Sequence, residues 1–179
     1  MFFVSEIQKG APEQFRTPLQ EKVYRTLEEL HISFERVDTD EAITMEDCVQ
    51  INAKLQMKMI KTLFLCNRQQ TAYYLFITAG DKPFRSKSFS TSLGISRVSF
   101  APSEKMQTML GTKVGAATVF SALLDTENRV QLVFDRHVLA EKWYGCSDGT
   151  TTGYMKVSTD DILHKFLPYT HHTWLVAEV

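Results

Sequence analysis

The chain has 179 residues, 44% hydrophobic and 23% charged, which fits one globular domain with a substantial core. A formal net charge of −1 excludes nucleic-acid binding by bulk charge alone and leaves room only for a local basic patch. Cys48, Cys66 and Cys146 are odd in number and lack CxxC spacing, which argues against a disulfide framework or a zinc site. The N-terminus has no basic-then-apolar order typical of a signal peptide, and no apolar run is long enough to span a bilayer. A cytoplasmic protein without membrane contact is therefore expected.

Residues 1–18 contain Pro12 and Pro18 and read as an N-terminal extension lying on a domain formed by residues 19–179. Pro18 suits the first turn of a helix. Leu19, Val23, Tyr24, Leu27 and Leu30 then follow at helical spacing up to His31. Ile32–Val37 alternates like a strand. Thr44-Met45-Glu46-Asp47 has the form of a capped helix start, a hydroxyl followed three residues later by an acid.

Met59–Leu65 and Ala72–Ile77, separated by the polar turn Arg68-Gln69-Gln70-Thr71, form the clearest hairpin. Asp81-Lys82-Pro83 is a loop, and Ser86–Leu93 a short helix closed by Gly94. Arg97–Phe100 reads as a strand, and a helix runs from Pro102 to Gly111. Val119–Leu124 is open between helix and strand. Val130–Phe134 is a strand, Gly145–Gly153 a small polar loop, and Tyr154–Val157 a strand. Ser158 caps a last helix that Pro168 should stop, and Thr173–Val176 is a candidate closing strand. This irregular interleaving with at least one hairpin predicts a single α+β domain with a mixed sheet.

Lys61 lies inside the first hairpin strand, with Met59, Leu63 and Leu65 on its own face and Ile60 and Phe64 on the other. A strand apolar on both faces is normally covered on both sides, and an ammonium buried there without a partner is costly. Lys61 therefore either reaches water at the strand's edge or points into a cavity suited to a positive charge.

Gly111–Thr118 and Gly145–Gly153 are rich in small residues, with hydroxyls at Thr118, Ser147, Thr150, Thr151 and Thr152. Such backbone can cradle an anion or carbonyl oxygen, or it can serve only turn geometry. Neither loop has a P-loop ending. His171-His172 make a poor metal pair, because neighbours on extended backbone point opposite ways. Ser147-Asp148 lacks a GxSxG elbow and a histidine base. Lys82, Arg85, Lys87 and Arg97, interleaved with Phe84, Phe89 and Phe100, suit phosphate contact and base stacking, or else core phenylalanines among ordinary surface charges.

Lys61-Thr62-Leu63-Phe64-Leu65 followed by Tyr73-Tyr74-Leu75, then Gly94–Ala101, the 111–119 loop, Asp161-Ile162-Leu163 and His172, resemble the YbaK/ProX family of aminoacyl-tRNA deacylases, in particular its prolyl-tRNA editing proteins. The resemblance spans the chain from about Leu19 onward. It implies a mostly antiparallel, barrel-like sheet surrounded by helices, with no cofactor and no metal. It also implies hydrolysis of the ester between a small mischarged amino acid and the tRNA 3′ end, alanine on tRNA for proline first. A prolyl-tRNA synthetase is a further candidate partner.

By the same resemblance Lys61 is the catalytic residue, and the tRNA's own ribose 2′-hydroxyl helps activate water. Thr62, Gly115, Ala116, Ala117, Thr118, Ser147, Asp148 and Thr151 would contact substrate, and Ile43, Thr44 and Met45 would form part of the pocket wall. The sequence departs from the family at four places. Thr62 stands for Asn, Val119 for the proline of a Gly-x-x-x-Pro loop, Ser147-Asp148 for His-Pro, and Thr151-Thr152 for Asn-Thr. Two alternatives follow: a non-catalytic module that binds tRNA or a synthetase, and a small-molecule esterase on the same scaffold.

Overall fold

The hairpin around Arg68–Thr71 is the centre of the larger of two sheets in the computed structural model, which describes residues 1–42 and 44–179. In chain order the elements begin with α1 (Pro18–Glu29), β1 (Phe34–Asp38), α2 (Met45–Leu55), β2 (Ile60–Asn67), β3 (Tyr73–Ala79), α3 (Ser86–Leu93) and β4 (Val98–Phe100). There follow α4 (Ser103–Lys105), continued by a π-type turn at Met106–Leu110, and a 3-10 turn at Val119–Leu123. The remainder is β5 (Val130–Asp135), α5 (Arg136–Ala140), β6 (Trp143–Ser147), β7 (Gly153–Ser158), α6 (Thr159–Asp161), α7 (Leu167–Tyr169) and β8 (Trp174–Ala177).

The larger sheet has the order β4-β2-β3-β5-β8 and the smaller β1-β7-β6. Four of the strand pairs are antiparallel; β3–β5 and β5–β8 are parallel. This is the mixed, mostly antiparallel α+β domain expected, but it does not close into a barrel. Residues of both sheets pack in one core, and among the described residues the sheets share one backbone bridge, the parallel pair Met59 to Gly145. A Cβ on Gly145 would lie 2.6 Å from Met57 Sδ, so glycine is what lets the sheets approach at this point.

Local signals explain the helices. Thr17 caps α1 by accepting from Gln20 N at 3.0 Å, with Pro18 in the first turn. The Thr44–Asp47 capping box is formed in both directions. Gly94 ends α3 in the left-handed region at φ 65°. Leu19, Val23, Tyr24 and Leu27 bury the inner face of α1 in the main core.

Two expectations are corrected and one open reading is settled. Gly145, Cys146 and Ser147 belong to β6, paired with β7, so the small polar loop shrinks to Asp148–Thr152. Val119–Leu123 is a 3-10 turn capped by Thr118. Pro168 lies within the last helical turn instead of stopping it. The π-type turn at Ile162–Phe166 widens the backbone just before the proline ring, which would otherwise clash with the preceding turn.

Residues 4–8 run along β1, with bridges Val4–Thr39 and Gln8–Arg36. The buried Arg36 side chain donates to the Gly10 carbonyl, the Asp38 carboxylate and the Gln8 amide oxygen. Among the described residues no helix is long and apolar enough to cross a membrane.

Candidate active site

β4 covers β2 only from Leu65 to Asn67, and β6 meets the strand's other end only at Met59. Between these points, among the described residues, no strand pairs with this edge of β2. The Ala101 amide donates to the Phe64 carbonyl at 2.9 Å on that side. Peptide groups alternate direction along a strand, so the Thr62 N–H and C=O also turn to the open edge. A cavity of about 640 Å³ lies against it.

Its other walls are Thr44 and Met45 at the start of α2, Val114, Gly115 and Ala117, Ser147 at the end of β6 and Thr151 in the turn after it, and Phe100, Ala101, Ser103 and Met106. Met59, Cys48 and Tyr154 add apolar surface.

Lys61 lines this cavity. It is half-buried, and its ammonium donates to the Lys82 carbonyl. The charge thus has a main-chain partner, and the residue borders a cavity. Thr62 lines the same cavity, yet its hydroxyl is buried toward that of Tyr144. Burial holds the Tyr144 phenol well above its ordinary range.

The remaining predicted site residues divide. Gly115, Ala117, Ser147, Thr151, Thr44 and Met45 line the cavity. Ala116, Thr118 and Asp148 do not. Ala116 is fully buried. The Thr118 hydroxyl donates to the Ser147 carbonyl at 3.0 Å and caps the 3-10 turn.

Asp148 is 1% exposed. It accepts from Gln20 Nε2 at 2.9 Å, Tyr24 OH at 2.8 Å and Thr150 Oγ1 at 2.7 Å. It is an anchor between α1 and the β6–β7 turn. Ile43 lies outside the described residues. The Ser147 hydroxyl donates to the Thr150 carbonyl at 2.6 Å and accepts from Gly149 N at 3.0 Å, so its geometry is that of a turn.

Sequence reasoning missed two groups, Glu41 and the pairing of Asp135 with Lys82, a lysine it places only in a loop and in the basic–aromatic span. Glu41 borders the cavity, accepts from Lys113 at 2.9 Å and from Thr151 at 3.1 Å, and is thereby held below the usual carboxylate range. The second group is Lys82 with Asp135: the Lys82 ammonium donates to Asp135 at 2.8 Å. Burial alone would raise the Asp135 carboxyl. Hydrogen bonds from Lys82, Thr78 and the His137 amide outweigh it and hold the group low.

Of the basic–aromatic span, Phe89 is fully buried in the core. Phe100 is 61% exposed at the cavity edge, with the Phe84 ring 5.6 Å behind it. Arg85, Lys87 and Arg97 are exposed. His172 is buried, its ring 2.9 Å from Asp125.

A family model for the aminoacyl-tRNA editing domain matches residues 39–165. The prolyl-tRNA editing protein ProX of Acetoanaerobium sticklandii is 24% identical over 160 residues, covering 89% of this chain and 97% of that protein. The prolyl-tRNA synthetase associated domain-containing protein 1 of Danio rerio is 27% identical over 165 residues, covering 91% and 86%.

Among solved structures, hypothetical protein APE2540 matches with a TM-score of 0.68 at 19% identity, covering 88% of this chain and 98% of that one. A proposed trans-editing enzyme for prolyl-tRNA synthetase matches with a TM-score of 0.64 at 16% identity, covering 92% and 98%. At these identities the structural likeness establishes the shared fold.

Proposed function

This chain belongs to the aminoacyl-tRNA editing domain family, and from that premise we propose that it is a freestanding deacylase of mischarged aminoacyl-tRNA, with alanine on tRNA for proline as its first substrate. The observation that carries the reading is the convergence on one cavity of Lys61, the open β2 edge at Thr62 and the Val114–Ala117 loop. An aminoacyl ester offers matching groups: a phosphodiester chain, a polarisable carbonyl and a small side chain. In this reading residues 19–179 are the editing domain, residues 1–18 are an extension held on β1, and the protein works in the cytoplasm.

The reaction adds water across the ester. The water oxygen bonds to the carbonyl carbon, the bond from that carbon to the ribose oxygen breaks, and that ribose oxygen takes up a proton given up by the water and becomes a free hydroxyl. Charge develops on the carbonyl oxygen, and preorganised donors at that oxygen are a large source of rate. Lys61 and the Thr62 main-chain N–H are the donors at hand. No side-chain triad is needed where the substrate's neighbouring 2′-hydroxyl assists the water.

Met45, Cys48, Met59 and Tyr154 then bound the amino-acid side chain. Apolar walls discriminate one methylene by only about 1–3 kcal/mol. The pocket thus excludes bulk well and separates alanine from serine weakly.

The test is a deacylation panel of alanyl-, seryl-, prolyl- and bulkier aminoacyl-tRNAs, with wild type and Lys61→Ala. Release of alanine that Lys61→Ala abolishes supports the reading. Saturable tRNA or synthetase binding without turnover on any member would replace it with the non-catalytic module. Cleavage of simple aminoacyl esters without tRNA would replace it with the small-molecule esterase.

A further inference from the structure

Lys61, Thr78 and Asp135 lie side by side across three strands of the larger sheet. Lys61 pairs with Thr78, and the β3–β5 register, with Ile77 opposite Phe134, brings Asp135 next to Thr78. The Thr78 hydroxyl closes the row with a 2.7 Å hydrogen bond to Asp135 Oδ2. Lys82, in the turn after β3, spans the same row. Its carbonyl accepts the Lys61 ammonium, and its own ammonium reaches Asp135 Oδ2 at 2.8 Å and His137 Nδ1 at 3.2 Å. Asp135 is 1% exposed and also accepts the His137 amide at 3.0 Å.

A lysine stem is flexible, and holding its ammonium in one place requires a fixed acceptor. The acceptor here is a main-chain carbonyl in a turn. The turn is held by the Lys82 N–H to Ala79 carbonyl bond and by the side chain of the same lysine. Without Asp135 that side chain would lose its anchor, and a second unneutralised ammonium would stand beside the row.

We propose that Asp135 and Lys82 are positioning residues for Lys61: Asp135 fixes the Lys82 ammonium, and the Lys82 carbonyl in turn fixes the Lys61 ammonium at the rim of the cavity. The catalytic consequence rests on the deacylase reading above; the positional claim does not.

Two readouts separate them. The first is pulse acetylation of each lysine by acetic anhydride, followed by mass spectrometry, on wild type, Lys82→Met, Lys82→Arg and Asp135→Asn. Circular dichroism and thermal melts check folding. A hydrogen bond to a charged group corresponds to about ten- to a hundredfold in population. Lys61 should accordingly acetylate about tenfold faster or more in Lys82→Met and Asp135→Asn, while exposed lysines such as Lys58 keep their rates. Lys82→Arg should restore the wild-type rate.

The second readout is deacylation of alanyl-tRNA. Lys82→Met and Asp135→Asn should lower kcat with little change in KM, the double variant should fall no further than either single one, and Lys82→Arg should recover kcat. An unchanged Lys61 acetylation rate in folded Lys82→Met overturns the proposal, and so does an additive double variant. If Asp135→Asn does not fold, the Lys82 pair of variants decides. If wild type cleaves no aminoacyl-tRNA, the deacylase reading fails and acetylation alone decides the positional claim.

Discussion

The Thr118 hydroxyl donates to the Ser147 carbonyl at 3.0 Å, and this one buried bond ties the 111–118 loop to the end of β6 as a single wall of the cavity. Both partners are buried, so a lost donor leaves a carbonyl unsatisfied. Thr118→Val should cost about 1–3 kcal/mol in urea unfolding. It should also lower deacylation more than a remote substitution of equal stability cost, because Gly115 and Ala117 would move. A stability change near zero would show that the two loops are held by other means.

Asp148→Ala should be among the most destabilising substitutions in this wall. It removes an acceptor shared by Gln20, Tyr24 and both the hydroxyl and the amide of Thr150, and strands four buried donors. Hydrogen bonds to charged groups are worth about 1.5–3 kcal/mol each and are not additive, so a loss of about 3 kcal/mol or more is expected by chemical denaturation. A loss under about 1 kcal/mol would contradict the anchoring role.

How much of this was legible in the sequence differs by kind of feature. Local signals mark the start of α1 at Pro18, the start of α2 at Thr44–Asp47 and the end of α3 at Gly94, and the polar turn marks the central hairpin. Strand β6 was not legible. Gly145-Cys146-Ser147 has loop composition and becomes a strand only by pairing with β7 and by fitting against Met57.

The candidate site shows the same division. Lys61 is conspicuous because a charge breaks an apolar strand. Glu41 reaches the cavity, and Lys82 with Asp135 reaches Lys61, by through-space convergence that no spacing encodes. Thr118 and Asp148 share loops with cavity residues, but their side chains turn inward to satisfy buried donors and acceptors.

Acid should destabilise the protein through Asp125 and Asp135. Burial opposes ionisation of Asp125, but hydrogen bonds from His172 and from the Val130 and Arg129 amides outweigh it, so its folded pKa, like that of Asp135, is lowered. The unfolded chain, with carboxyls near about 3.9, then binds protons first. The stabilisation is complete above that value and is lost as pH falls through the folded values. Urea midpoints between pH 6 and pH 2.5 should show a steep acid limb that Asp125→Asn flattens. An acid limb unchanged in the folded variant would remove Asp125 from this account.

Lys113→Ala breaks a solvent-exposed pair with Glu41, so its effect on stability should be slight. The uncompensated Glu41 carboxylate would then face incoming phosphate at the cavity mouth. KM for aminoacyl-tRNA should rise, the more so at low salt, with kcat nearly unchanged. A fall in kcat at constant KM would place Lys113 in the chemistry instead.

The central claim is that Lys61 serves ester hydrolysis at the open edge of β2. Its most direct test is single-turnover hydrolysis of alanyl-tRNA for proline by wild type and Lys61→Ala, each shown to be folded by thermal melting. Loss of one preorganised donor to a developing oxyanion costs about 10²–10³ in rate, and a fall of at least that size is the predicted result. A folded Lys61→Ala protein that releases alanine at the wild-type rate would contradict it.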